Sequence, residues 1–174
     1  GYDRYITTQI SEETIMSIRE VKAFFAARGM EDKVLEFATS SATVELAAQT
    51  VGVIPARIAK TRSFMTAEGP LLVVTAGDAK IDNHKYKETF SCKAKMLTPE
   101  EAVELVGHAV GGVCPFAVKP GVKTCLDVSL QRFTTVFPAC GSSNSAIELT
   151  CEELYELSEA LAWVDVCKGW QDAE

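Results

Sequence analysis

Three short stretches of this 174-residue chain carry residue types that could do chemistry: IPARIAKTRSF (54–64), VGGVCPF (110–116) and CGSSNS (140–145). In the first, Ile58, Lys60, Arg62 and Phe64 fall at even spacing, so a strand would put them on one face. A lysine in such a row either faces solvent or points into a pocket, where it could bind an anion or stabilise developing negative charge. In the second, Cys114 with His108 invites a Cys–His pair. A catalytic thiol needs a cationic neighbour or a helix N-terminus to lower its pKa. The helix predicted just before the loop ends at Gly107 and offers its C-terminus, the wrong sign. His108 itself reads either as a general base or as a residue that suits a helix C-terminus. The alternative is that Gly111 and Gly112 act through their main chain, with Cys114 as packing. The third stretch is either a plain hairpin or the rim of a pocket for a small polar ligand. No serine lies in GxSxG.

Bulk properties narrow the classes. The chain is long enough for one domain with a proper core. No apolar run approaches the roughly 20 residues of a membrane span, and GYDRYITTQI lacks the pattern of a signal peptide. These features predict a cytoplasmic protein with no membrane partner. The six cysteines form no CxxC pair, so neither a metal site nor a cofactor is expected, and reduced, mostly buried thiols are. The net charge of −7 arises entirely in residues 148–174, where eight acids face one base. Residues 79–95 instead hold five lysines against two acids. Lys80, Lys85 and Lys87 there form either a solvated face or a phosphate-contact patch.

The elements that must position these residues can be read from capping and periodicity. Ile15, Ile18, Val21 and Phe25 predict a helix from Ser11, as N-cap, to about Arg28, behind an N-terminal arm of residues 1–10; residues 11–174 form one domain. VLEFA reads as a strand, Thr43–Val51 as a helix closed by Gly52, and residues 57–66 as a strand. AEGP turns into the apolar strand LLVVTA. A helix covers Asn83–Phe90. Thr98-Pro99-Glu100-Glu101 and Thr150-Cys151-Glu152-Glu153 are capping boxes that open two more. KTCLDV, TTVFPA, AIELT and AWVDVC complete the strands. The rhythm is not that of a Rossmann sheet, and no GxGxxG or GxxxxGK[ST] occurs. The fold class is α+β, with a mixed, partly closed, barrel-like sheet surrounded by helices.

The ordered set TVELAAQTVGV, IPARIAKTRSF, LLVVTAGDAKID, TPEEAVELVGHAVGGVCPF, LDVSL and PACGSSNSAIEL resembles the YbaK-type aminoacyl-tRNA deacylases, relatives of the editing insertion of bacterial prolyl-tRNA synthetases. The resemblance runs from about residue 20 to 167. It implies hydrolysis of the ester that joins a wrong amino acid to tRNA, with tRNA as partner and an aminoacyl-tRNA synthetase left open as a second. It implies that Lys60 binds the terminal adenosine and orients the ester, supported by Thr61. Gly111 and Gly112 bring backbone to the substrate, and Pro115 holds that loop's shape. Gly141, Ser142, Ser143 and Asn144 form the pocket rim. The best-studied members carry a GGKRG-like loop with a serine before it and an acid after it. Here Ala139 precedes the loop and Ala146 follows, so the expected ester is that of a small amino acid, alanine, serine, threonine or cysteine, with the loop leaning away from Cys-tRNA towards the first three. A non-catalytic aminoacyl-tRNA or amino-acid-binding module, and a cysteine-dependent hydrolase using Cys114 and His108, are the competing readings.

Overall fold

The computed structural model describes residues 2–41 and 43–171; the side chains of residues 1–11 and of Glu13 lie outside the described set, and with them the expected N-cap at Ser11. A long helix, α1 (Tyr2–Ala26), comes first and begins well before Ser11, through the segment expected as an arm. No proline or glycine between residues 2 and 26 interrupts it. β1 (Leu35–Glu36) follows, then α2 (Val44–Val51), whose N-cap Thr43 accepts a hydrogen bond from Leu46 N and whose C-cap Gly52 is left-handed at φ 88°.

A hairpin of β2 (Ile58–Thr66) and β3 (Gly69–Ala76) is the centre of the molecule. The apolar run in β3 is buried through Leu72, Val73 and Val74, as expected for a strand covered on both faces. β4 (Lys80–Ile81) and α3 (Asn83–Phe90) come next, with Asp82 capping α3 by accepting from His84 N and Lys85 N. Both expected capping boxes are present. Thr98 opens α4 (Pro99–Glu101), which widens into a π-helical turn (Ala102–Val106) and stops at Gly107 with φ 103°. Thr150 opens α5 (Cys151–Leu157).

β5 (Lys123–Asp127) and β6 (Thr135–Pro138) extend the sheet on its two sides. Two stretches expected as single strands are each divided. Residues 146–150 split between β7 (Ser145–Ala146), paired with β1, and β8 (Leu149–Thr150), paired with β6. Residues 162–167 split between β9 (Trp163–Val164), on β5, and β10 (Cys167–Lys168), on β4. The bend in the second case is held by the buried Asp127, which accepts from Val166 N at 2.9 Å. The main sheet has the order β8-β6-β2-β3-β5-β9, mixed in direction and curled into a half-barrel, with the five helices around it. The fold class read from the sequence is the one observed.

One detail of β2 bears on the site. Its inner edge pairs with β3 from Ala59 to Thr66. Its outer edge is covered only in two places: β6 pairs with Ile58 and Ala59, and an isolated bridge joins Phe64 to Met96. The outward N–H and C=O of Thr61, midway between, have no partner among the described residues.

Among the described residues, no helix is long and apolar enough to cross a membrane.

Candidate functional site

A cavity of about 250 Å³ opens along that uncovered edge of β2. One wall is the apolar face of α2, through Val44, Ala47 and Val51. The others come from β2, from Met96, from the loop at Val110–Gly111 and from the loop at Ser142–Ser143.

The structure brings five of the sequence-predicted residues, Lys60, Thr61, Gly111, Ser142 and Ser143, to this one cavity. Lys60 forms no ion pair among the described residues. Its pKa is lowered from the ordinary lysine value, first by desolvation and then by repulsion from Arg62, against a smaller opposing pull from Glu45. Arg62 also lines the cavity, and its guanidinium donates to Thr75 Oγ1 (3.3 Å) and Ala79 O (3.2 Å), with no carboxylate partner among the described residues. Two neighbouring cations on one strand, both short of counter-charge, make the cavity attractive to an anionic or electron-rich group. Arg62 was not assigned a role from sequence, although its even spacing with Lys60 is the signal that would have found it.

Gly112, Pro115, Gly141 and Asn144 stand behind the lining and build it. A Cβ on Gly112 would lie 2.5 Å from the carbonyl carbon and oxygen of Gly141, so the two loops touch main chain to main chain. Gly141 has φ 94°, and a Cβ there would meet Ser17 O at 2.8 Å. Pro115 is buried. Asn144 Nδ2 donates to Phe37 O (2.9 Å) and Asn144 O accepts from Phe37 N (2.8 Å), which fastens the polar loop beside β1. Ser143 O accepts from Ser41 N at 2.8 Å, and its hydroxyl bonds that of Ser40. The polar loop is therefore no free hairpin tip. Its far side is bonded to the segment before α2, leaving Ser142 and Ser143 at the cavity.

His108 and Cys114 meet, but in a sealed place. Both are fully buried. His108 Nε2 lies 2.7 Å from Phe116 O, and a carbonyl oxygen only accepts, so Nε2 carries the proton. Nδ1 then accepts from the Ser17 hydroxyl at 2.5 Å. Cys114 Sγ, 3.5 Å from Nε2, faces a nitrogen with no free lone pair. Burial also pushes the Cys114 thiol up to about 12 and holds the His108 pKa below its ordinary value. This cluster has the residue types of a catalytic set and the environment of a core.

The lysine patch divides. Lys80 and Lys87 are exposed. Lys85 Nζ donates to Asp165 Oδ1 and to Cys167 O, each at 3.1 Å, and so ties α3 to the C-terminal segment. Lys168, opposite Lys80 in the β4–β10 pair, adds a cation that the sequence had placed in an acidic region.

Comparison with known proteins agrees with this architecture. The family model described as the aminoacyl-tRNA editing domain matches residues 38–157. YwhH of Bacillus subtilis (strain 168) is 56% identical over 158 residues, which is 90% of this chain and 100% of YwhH. A crystal structure of a proposed trans-editing enzyme for prolyl-tRNA synthetase superposes with a TM-score of 0.80 at 31% identity, covering 88% of this chain and 98% of that one. The crystal structure of the hypothetical protein APE2540 gives 0.76 at 30% identity, over 86% and 99% of the two chains.

Proposed function

We propose a function from the premise that this chain belongs to the aminoacyl-tRNA editing domain family: it is a cytoplasmic trans-editing deacylase that hydrolyses the ester of a mischarged tRNA carrying a small amino acid. The observation that carries the reading is the cavity itself, where Lys60 and Arg62 stand without carboxylate partners among the described residues, beside the exposed Gly111. Its volume of about 250 Å³ admits a group of aminoacyl size.

In this mechanism no protein nucleophile is needed, because an aminoacyl ester is already activated. Water adds to the carbonyl carbon, the ester C–O bond breaks, and a proton passes to the departing ribose oxygen. The products are a free amino acid and a tRNA with an intact 3′ end. Lys60 binds the terminal nucleotide and, with main-chain N–H groups, stabilises the charge that develops on the carbonyl oxygen. Gly111, by lacking a Cβ, lets the backbone approach the ester. Ser142 and Ser143 line the rim, with their hydroxyls bonded to those of Ser145 and Ser40. Gly112, Pro115, Gly141 and Asn144 keep the two loops in place. Lys80 and Lys87, exposed, contact tRNA phosphates.

The test is a deacylation panel of Ala, Ser, Thr, Cys and Pro esters on several tRNAs. Lys60→Ala should lose at least about a hundredfold in kcat/KM, the scale of removing one stabilising donor. Cys114→Ala should keep most of the activity. A Lys60→Ala protein that is folded by circular dichroism and still active sinks this mechanism. Binding of aminoacyl-tRNA without turnover across the whole panel would make the chain a binding module instead. Loss of activity in Cys114→Ala at unchanged fold would favour the cysteine hydrolase.

A further inference from the structure

β2 offers the cavity more than side chains. In its hairpin with β3, the two-residue turn Ala67-Glu68 makes Thr66 and Gly69 a hydrogen-bonded pair, so even-numbered residues of β2 direct their main chain at β3. Odd-numbered residues direct theirs outward, which two observed bonds verify: Met65 N donates to Lys95 O (2.8 Å) and Leu97 N to Ser63 O (3.1 Å). At the other end β6 covers Ala59. Thr61 is left between them, with an outward N–H and C=O that meet no partner among the described residues. Ala59, Thr61 and Ser63 all line the cavity. The window from Ala59 to Ser63 spans about 13 Å at roughly 3.3 Å per residue, enough for one amino-acid-sized group.

We propose that the unpaired main chain of Thr61 is the subsite that grips the α-aminoacyl group, its C=O accepting from the substrate's α-amino N–H and its N–H donating to the ester carbonyl. An aminoacyl ester presents one amino group and one carbonyl on the same carbon. That is what a residue presents when it exchanges both bonds with its opposite in an antiparallel ladder. The substrate thus completes the ladder for the length of one residue. Opposed residues share a face, so the substrate side chain falls on the side of Thr61, between the small residues Ala59 and Ser63. The nearby cations Lys60 and Arg62 favour the neutral amine over the ammonium, and either form donates to a carbonyl. The subsite rests on the proposed deacylase reading for the identity of its ligand, while the uncovered edge does not depend on that reading.

Amide exchange and chemical shifts in the isotope-labelled protein test it, with 3′-alanylamino-3′-deoxyadenosine as a non-hydrolysable probe and its lactyl counterpart, in which a hydroxyl replaces the amine, as control. In the free protein the Thr61 amide should exchange faster than those of Lys60 and Arg62, which point at β3. The alanyl probe should shift and protect it, and the lactyl probe should bind at least about tenfold more weakly. A Thr61 amide already as protected as its neighbours, or one unmoved while other cavity amides respond, overturns the proposal, as does equal affinity for the two probes. Ala-tRNA hydrolysis with Thr61 unmoved defeats the subsite alone. Protection of Thr61 by the probe without hydrolysis of any ester keeps the subsite and defeats the deacylase. Neither binding nor hydrolysis defeats both.

Discussion

The Ser17–His108–Cys114 cluster and the Lys60–Arg62 cavity are close neighbours with opposite characters. The first joins a hydroxyl, an imidazole and a thiol by short contacts, yet every member is buried and the imidazole proton is committed to Phe116 O. The second holds two cations and a stretch of bare strand edge, and it opens to solvent. Between them the chain forms a wall. Gly111 faces the cavity, Gly112 packs on the Gly141–Ser142 peptide, and Gly141 backs onto Ser17. The difference teaches that reactive residue types indicate a site only together with access and a free lone pair or charge. Burial alone converts a Cys–His pair into packing.

The largest effect should come from breaching that wall. Gly112→Ala puts a methyl 2.5 Å from the main chain of Gly141, where neither side is a flexible side chain. It should cost about 1–3 kcal/mol by urea denaturation and reduce deacylation as well. A variant with unchanged stability would mean that the loops are not in main-chain contact, and the contrast between sealed and open regions would lose its boundary.

A smaller effect sharpens the sealed side. His108 titrates at a lowered pKa in the folded chain and near 6.5 when unfolded, so below about pH 6.5 the unfolded state binds more protons. The stability this burial confers is complete above that value and is lost as pH falls, by up to about 1.4 kcal/mol per pH unit until the folded pKa is reached. Unfolding free energies from pH 7.5 down to 5 should show this decline, and His108→Gln should lack that increment. Parallel curves for the two proteins would show His108 to be accessible after all.

The smallest effect concerns the surface lysines of α3. Lys87→Glu should lower the slope of log affinity for tRNA against log salt by about one phosphate contact or more, with no change in melting temperature. Lys85→Glu should instead lower the melting temperature through the lost tie to Asp165. A reversal of these two outcomes would reassign which lysine faces the tRNA.

How much could be read from the sequence depended on how local the determining contacts were. The capping boxes at Thr98 and Thr150, the left-handed stop at Gly52 and the β2–β3 hairpin are set within a few residues, and all were legible. The shared spacing of Lys60 and Arg62 was visible too, but nothing local said that β6 would leave the strand after Ala59 and open a cavity there. Lys85 looked like surface charge because its partner Asp165 lies 80 residues away. Residues 146–150 and 162–167 looked like single strands because apolar runs do not announce which of two sheets each half will join. The polar loop CGSSNS was recognised by composition, while its attachment to Phe37 and Ser41 comes from the far end of the chain.

The short uncovered stretch of β2 also bears on self-association. Exposed strand edges are templates on which other chains add, and proteins usually blunt them with charge, proline or a bulge. On the outer edge of β2, among the described residues, only the N–H and C=O of Thr61 are bare between β6 on one side and the Met96 bridge on the other, with Lys60 and Arg62 flanking them. An extended segment needs several successive bonds to dock, so the opening admits one residue-sized guest and turns away a strand. This stretch of β2 therefore keeps unsatisfied backbone on display without offering a strand-length template.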